Sequence, residues 1–235
     1  MITHRSLTLD LLRTAAIVLM IIYHALYDLQ NFGAAIDAKA PIPLAIARTS
    51  LILFLVVSGA AFAMRTRRGW SSPSARWRWI VRRTLILSGS ALLVTIVTWI
   101  VDPGTYVRFG VLHLLAVSTL VLAYSSRLSP LWNGMVGCVL LIVGVFPRNA
   151  LHTSLLLPLG WMPEGFVSVD YVPLLPWLGV VLLGYAVTLY LPETLLLQRS
   201  APFAVRRATW IGRHSLVVYL VHQPILLGFL RMIFP

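Results

Sequence analysis

Seven apolar runs occupy most of this 235-residue chain, near Leu9–Leu29, Pro43–Met64, Thr84–Val101, Val107–Tyr124, Leu131–Phe146, Val172–Leu191 and Ser215–Ile233. About 20 apolar residues is the length an α-helix needs to cross the hydrocarbon core of a bilayer. In lipid every backbone polar group has to be satisfied within the segment, so such runs fold as helices. With 59% hydrophobic and 11% charged residues, the chain lacks the polar surface of a water-soluble globule. The reading is an all-α, polytopic transmembrane bundle of about seven spans, one domain over residues 1–235. The third and fifth runs are short for a crossing, which predicts tilt or a thinner patch of bilayer there.

The formal net charge is +12, from 19 Lys and Arg against 7 Asp and Glu. In a soluble domain that excess would suggest nucleic acid, but here the basic residues cluster between apolar runs and nucleic acid is not expected as a partner. The segment from Arg65 to Arg83 holds seven Arg and no acid, and Arg199, Arg206, Arg207 and Arg213 precede the last run. By the positive-inside rule both belong on the cytoplasmic side, which puts the N-terminus inside and, after seven spans, the C-terminus in the periplasm. Trp70, Trp77, Trp79 and Trp210 sit among these arginines as an interfacial belt would. The opposite loops are mixed in sign, with Asp102, Arg108, Arg148, His152, Glu164 and Asp170 among them. The loop Asn149–Asp170 contains Pro158, Gly160, Pro163 and Gly165, too broken for a span and suited to cap an outer vestibule. Cys138 is the sole cysteine, so an intrachain disulfide is not possible.

The first run, LDLLRTAAIVLMIIYHALYDLQ, carries Asp10, Arg13, His24 and Asp28. Asp10 and Arg13 precede the apolar stretch and His24 and Asp28 interrupt its far end, which a cleavable signal peptide would not show. Ionisable groups inside the hydrocarbon are costly and tend to line a bundle interior or a substrate path. From Arg13 to His24 is eleven residues, close to three turns and a rise of roughly 16 Å, so the two point nearly the same way. Asp28 lies one turn beyond His24, placed to accept the proton of one ring nitrogen and orient the imidazole. The bland alternative is that Arg13 snorkels to headgroups, His24 packs, and Asp28 is interfacial.

Further polar groups recur beyond the first run. His113 opens the fourth, Asp170 stands at the mouth of the sixth, and His222 and Gln223 interrupt the last. Their bland accounts are an interfacial side chain, a helix N-cap and an interhelical hydrogen bond. On the basic side, Arg13, Arg82, Arg83 and Arg213 would ring a mouth that could hold phosphates by bidentate contacts. Physics permits a proton-coupled transporter or flippase using His/Asp pairs, an enzyme with His24 as base, or a non-catalytic accessory subunit.

The blocks LTLDLLRTAAIVLMIIYHALYDL, FGVLHLLAV, DYVPLLPWLGVVLLGYA and GRHSLVVYLVHQPIL resemble the heparan-alpha-glucosaminide N-acetyltransferase catalytic-domain family, in particular its small bacterial members. Arg13 with His24 eleven residues on, FLVVSG at Phe54–Gly59 and the Gly212–Pro224 pattern are also similar to acyltransferase family 3. Thr14 stands where the usual Gly follows the motif Arg. In the lysosomal branch Asn stands at the position of His24, with the catalytic His in the following loop; residues 25–47 here contain no His. The resemblance implies a membrane acetyltransferase of the bacterial inner membrane that carries acetyl from cytoplasmic acetyl-CoA to a hydroxyl or amine of a sugar or glycolipid acceptor. It implies no metal. Membrane lipid and a second copy of the chain are the other partners to consider. By the same resemblance Arg13 contacts CoA phosphate and His24 is catalytic, either as base or through an acetyl-His24; the placement of the basic residues adds Arg82, Arg83 and Arg213 to the cofactor contacts, and spacing adds Asp28 as the group that holds His24. His113, Asp170, His222 and Gln223 would bind the acceptor or stabilise an oxyanion.

Overall fold

A computed structural model describes residues 6–146, 154–196 and 203–234. Arg148, His152, Arg199 and the first residues of the Asn149–Asp170 loop therefore lie outside the described residues. In chain order the helices are α1 (Leu7–Asn31), α2 (Pro41–Arg67), α3 (Pro73–Val101), α4 (Val111–Ser125), α5 (Pro130–Val145), a short 3-10 turn (Leu157–Leu159), α6 (Leu174–Tyr190), α7 (Glu193–Leu196), α8 (Phe203–Arg213) and α9 (Ser215–Ile233). Every apolar run of the sequence coincides with one of them. Among the described residues the sole β-type pairing is an isolated bridge between Phe109 and Tyr171.

Four helices, α1, α2, α3 and α9, are long and apolar enough to cross a membrane, while α4, α5 and α6 are apolar but shorter. The third run is not short, as expected above, but belongs to the longest helix. Ser72 caps α3 by accepting from the amide of Ala75 at 3.1 Å, with Pro73 at the first helical position, so the helix starts eleven residues early and takes in RWRWIVRR. Leu85, Leu92, Ile96 and Ile100 along α3 are all exposed. An apolar face of that length needs lipid to cover it.

The helices gather into two compact units, Met1–Val57 with Leu191–Pro235, and Ser58–Tyr190. In the first, α1 opens under Ser6, whose hydroxyl accepts from the amide of Leu9, and ends where Gly33 takes φ 92°. The left-handed region favours glycine, so the chain leaves the helix there. Ser50 on α2 donates to the carbonyl of Ala16 at 2.8 Å in a buried contact. The α8–α9 segment runs along α1. Thr14 accepts from the amide of Gly212 at 3.0 Å and shares its hydroxyl hydrogen between the carbonyls of Asp10 and Ala208. A Cβ at position 212 would collide with the Asp10 carbonyl oxygen, so the two backbones meet where glycine alone fits. Thr14 is accommodated by this glycine opposite.

The second unit packs α5 along α6 through Gly137 and Gly179, each of which faces the other's carbonyl oxygen. Phe62, at 1% exposure, meets Trp79 and Tyr185 edge to face at ring separations of 5.5 and 6.1 Å. The Val169 amide donates to the Thr105 carbonyl and the Val172 amide to that of Phe109, so the segment before α6 is tied to the turn before α4.

Candidate active site

The polar side chains of α1 and α9 meet in the first unit. His24 on α1 and His222 on α9 lie with ring centroids 4.9 Å apart, Nε2 of His222 standing 3.3 Å from Nδ1 of His24. Each ring is also held by its own helix. Nδ1 of His24 is 3.0 Å from the Met20 carbonyl, and Nδ1 of His222 is 2.7 Å from that of Tyr219. A carbonyl oxygen accepts and never donates, so in the neutral pair both Nδ1 atoms carry hydrogen. Nε2 of His222 is then a lone pair facing the Nδ1–H of His24, and Nε2 of His24 is a second lone pair.

Asp28 does not orient His24, contrary to the sequence expectation. Its two carboxylate oxygens accept from the Gln223 amide nitrogen at 3.0 and 2.8 Å. The physical reason is local: the Met20 carbonyl, one turn before His24 on the same helix, already takes the ring hydrogen that a carboxylate one turn after it would have taken. Gln223, singled out in the sequence beside His222, thus faces Asp28 through one hydrogen of its side-chain amide, shared between the two carboxylate oxygens. Its Oε1 is buried and meets no donor among the described residues. An orphaned acceptor of that kind suits a hydroxyl or amine hydrogen.

Nearer the start of α1, the guanidinium of Arg13 donates to Asp10 at 2.9 Å, and Nε of Arg213 lies 3.7 Å from the other Asp10 oxygen. Asp10 is buried while both arginines remain partly exposed. The structure thus brings Arg13 and Arg213 together on one carboxylate. Asp10, to which the sequence reading assigns no role, is marked in the sequence by its i, i+3 spacing to Arg13.

The other expected site residues lie in the second unit. Arg83 donates to Ser58 at 3.0 Å and to Thr119 at 3.3 Å, with its guanidinium 5.4 Å from the Trp79 ring, so it is engaged within the helices. Arg82 is exposed. His113 and Asp170 come together at the N-terminus of α4. Nδ1 of His113 accepts from the Gly110 amide at 3.2 Å, and Nε2 faces the Thr95 hydroxyl at 3.4 Å, whose own hydrogen goes to the Val107 carbonyl. Asp170 accepts from the Val111 amide at 3.2 Å. Both therefore satisfy orphan amides of a helix start. Asp170 is a helix cap, as its bland account has it, but for the start of α4, 59 residues away in the chain, and not for the sixth run at whose mouth it stands. Among the described residues, no three His, Cys, Asp or Glu converge as a metal site.

Bilayer-length apolar helices, with titratable side chains gathered between α1 and α9, mark an integral membrane protein. The chain belongs to the family described as heparan-alpha-glucosaminide N-acetyltransferase, catalytic, whose model matches residues 5–224. It is accordingly a membrane acetyltransferase. No curated protein and no solved structure matches it.

Proposed function

We propose that the protein moves an acetyl group from acetyl-CoA, taken up at the cytoplasmic face, to a hydroxyl or amine of a sugar-containing acceptor at the periplasmic face of a bacterial inner membrane. The observation that carries this reading is the placement of His24, paired with His222, three turns along α1 from the Arg13–Asp10–Arg213 cluster. The spacing, roughly 16 Å along one helix, suits a ligand whose phosphates and reacting thioester sit at opposite ends of a long arm. Arg13 and Arg213 converge on one carboxylate, which gathers two guanidinium charges at the place where the phosphates would sit.

In the proposed reaction His24 Nε2 takes the proton from the acceptor O–H or N–H as that atom attacks the thioester carbonyl. The new C–O or C–N bond forms, the C–S bond breaks, and the same proton passes from His24 to the departing thiolate, giving CoA and the acetylated product. Gln223 Oε1 accepts a second hydrogen of the acceptor, and Asp28 holds the Gln223 amide for that purpose. His113 and Asp170 act through the start of α4 and not by contact with the acceptor. The short helices α4, α5 and α6 complete seven crossings, with the N-terminus cytoplasmic and the C-terminus periplasmic, and the exposed Arg82 belongs to the cytoplasmic end of α3.

Detergent-purified protein titrated with acetyl-CoA tests the donor. Acetyl-CoA should raise the melting temperature in a dose-dependent way, and dephospho-CoA, which lacks one phosphate, should do so much less. Equal shifts, or none at saturation, would refute the phosphate-arginine part of the reading.

A further inference from the structure

His222 was expected to touch the acceptor, yet both its ring nitrogens are committed elsewhere: Nδ1 to the Tyr219 carbonyl at 2.7 Å and Nε2 to the His24 ring at 3.3 Å. We propose that His222 is a positioning residue whose Nε2 lone pair receives the Nδ1–H of His24, holding together with the Met20 carbonyl the ring orientation and tautomer that leave Nε2 of His24 bare. The proposal rests on the reading of His24 as base given above.

The arrangement is a chain of one-directional contacts. The Tyr219 carbonyl can accept only, so it forces the hydrogen of His222 onto Nδ1 and the lone pair onto Nε2. The Met20 carbonyl does the same to His24, and the Nδ1–H of that ring is shared between Met20 and His222. Reversing the His24–His222 bond would place a bare Nδ1 of His24 against the Met20 oxygen, two lone pairs facing each other at 3.0 Å. The role that an ionised carboxylate often plays beside a catalytic imidazole is filled here by a neutral ring. Asp28, the carboxylate best placed in the sequence for that role, is occupied by Gln223. When His24 gains a proton on Nε2, the charge spreads to its Nδ1–H, and the His222 lone pair is the acceptor that this hydrogen meets. Phe54 on α2 packs edge to face on Tyr219, 6.3 Å between centroids, and steadies the turn that sets the His222 ring.

The test uses the full chain in lipid bilayers. Solid-state NMR of [15N]His-labelled protein, in mildly alkaline buffer where imidazoles are neutral, should show Nδ1–H tautomers for both His24 and His222. His222→Gln keeps an acceptor oxygen near the position of Nε2, and His222→Leu removes it. The Gln variant should turn over within about tenfold of the parent and keep the His24 tautomer. The Leu variant should lose roughly 10- to 100-fold in kcat, part of what a general base supplies, with KM for acetyl-CoA unchanged. An Nε2–H tautomer at His24, or equal turnover by the Leu and Gln variants, would overturn the proposal. If the Leu variant does not fold, the tautomer of the parent protein still decides. Should His24→Ala abolish turnover while His222→Leu leaves kcat untouched, the base reading stands and this one fails; activity in His24→Ala would remove the base reading itself.

Discussion

Thr14 and Gly212 are joined at 3.0 Å, side-chain hydroxyl to backbone amide, and the 198 positions that separate them also separate His24 from His222. Two contacts ten residues apart with one offset mean that α8–α9 follows α1 in parallel. The register set at the close backbone contact is the register at which the imidazoles meet. The fit at Gly212 is therefore a condition for the histidine pair.

Gly212→Val should uncouple the two. The added side chain has no room against the Asp10 carbonyl, and overpacking of this kind costs about 1–3 kcal/mol. The melting temperature should fall and acetyl transfer with it, whereas Gly228→Ala, where a Cβ meets nothing within 4 Å, should leave both unchanged. Thermal melts and turnover of the two variants side by side check this.

Asp10→Asn and Arg13→Gln should separate scaffold from ligand contact. Asp10 is buried beneath two guanidinium groups, so the amide should lower stability by about 1–3 kcal/mol, as expected for lost charge-assisted bonds. Arg13→Gln leaves the carboxylate facing Arg213 and should chiefly weaken acetyl-CoA binding, by roughly tenfold to a hundredfold. Calorimetric titration alongside thermal melts distinguishes the two.

Direct transfer and an acetyl-His24 intermediate differ without any acceptor present. Direct attack requires acceptor before the C–S bond breaks, so labelled CoA should not exchange into acetyl-CoA in its absence. Exchange at a rate near turnover would establish the covalent route.

Asp102, at the exposed end of α3, provides a pH-dependent prediction outside the spans. The Thr105 hydroxyl at 2.6 Å and the Gly104 amide at 2.9 Å hold its carboxyl below the usual aspartate value of 3.8. Because the folded pKa is depressed, the stability it confers is fully present above that value and is lost as pH falls through the folded one. Thr105→Val should therefore melt slightly below the parent at neutral pH, and the gap should close in strong acid.

The fold was legible because apolar length is a direct physical requirement of the bilayer, and each run became a helix at nearly its expected bounds. Where bounds moved, a local cap decided: Ser72–Pro73 lengthened α3, and Gly110 delayed α4 to Val111. The clustering of His24 with His222 and of Asp28 with Gln223 was half legible, since all four are polar groups that interrupt apolar runs. Which acid served which base was not. Partner choice was settled by the Met20 and Tyr219 carbonyls, and a backbone oxygen leaves no mark in residue type. His113 and Asp170 illustrate the converse. Their residue types suggested chemistry, but the unsatisfied amides at the start of α4 use them.

The central claim, that His24 is the base of acetyl transfer, is tested most directly by His24→Ala assayed in proteoliposomes with labelled acetyl-CoA. The account predicts a loss of at least about 10²-fold in acetyl transfer, with acetyl-CoA still raising the melting temperature as in the parent. Transfer at the parental rate would contradict it.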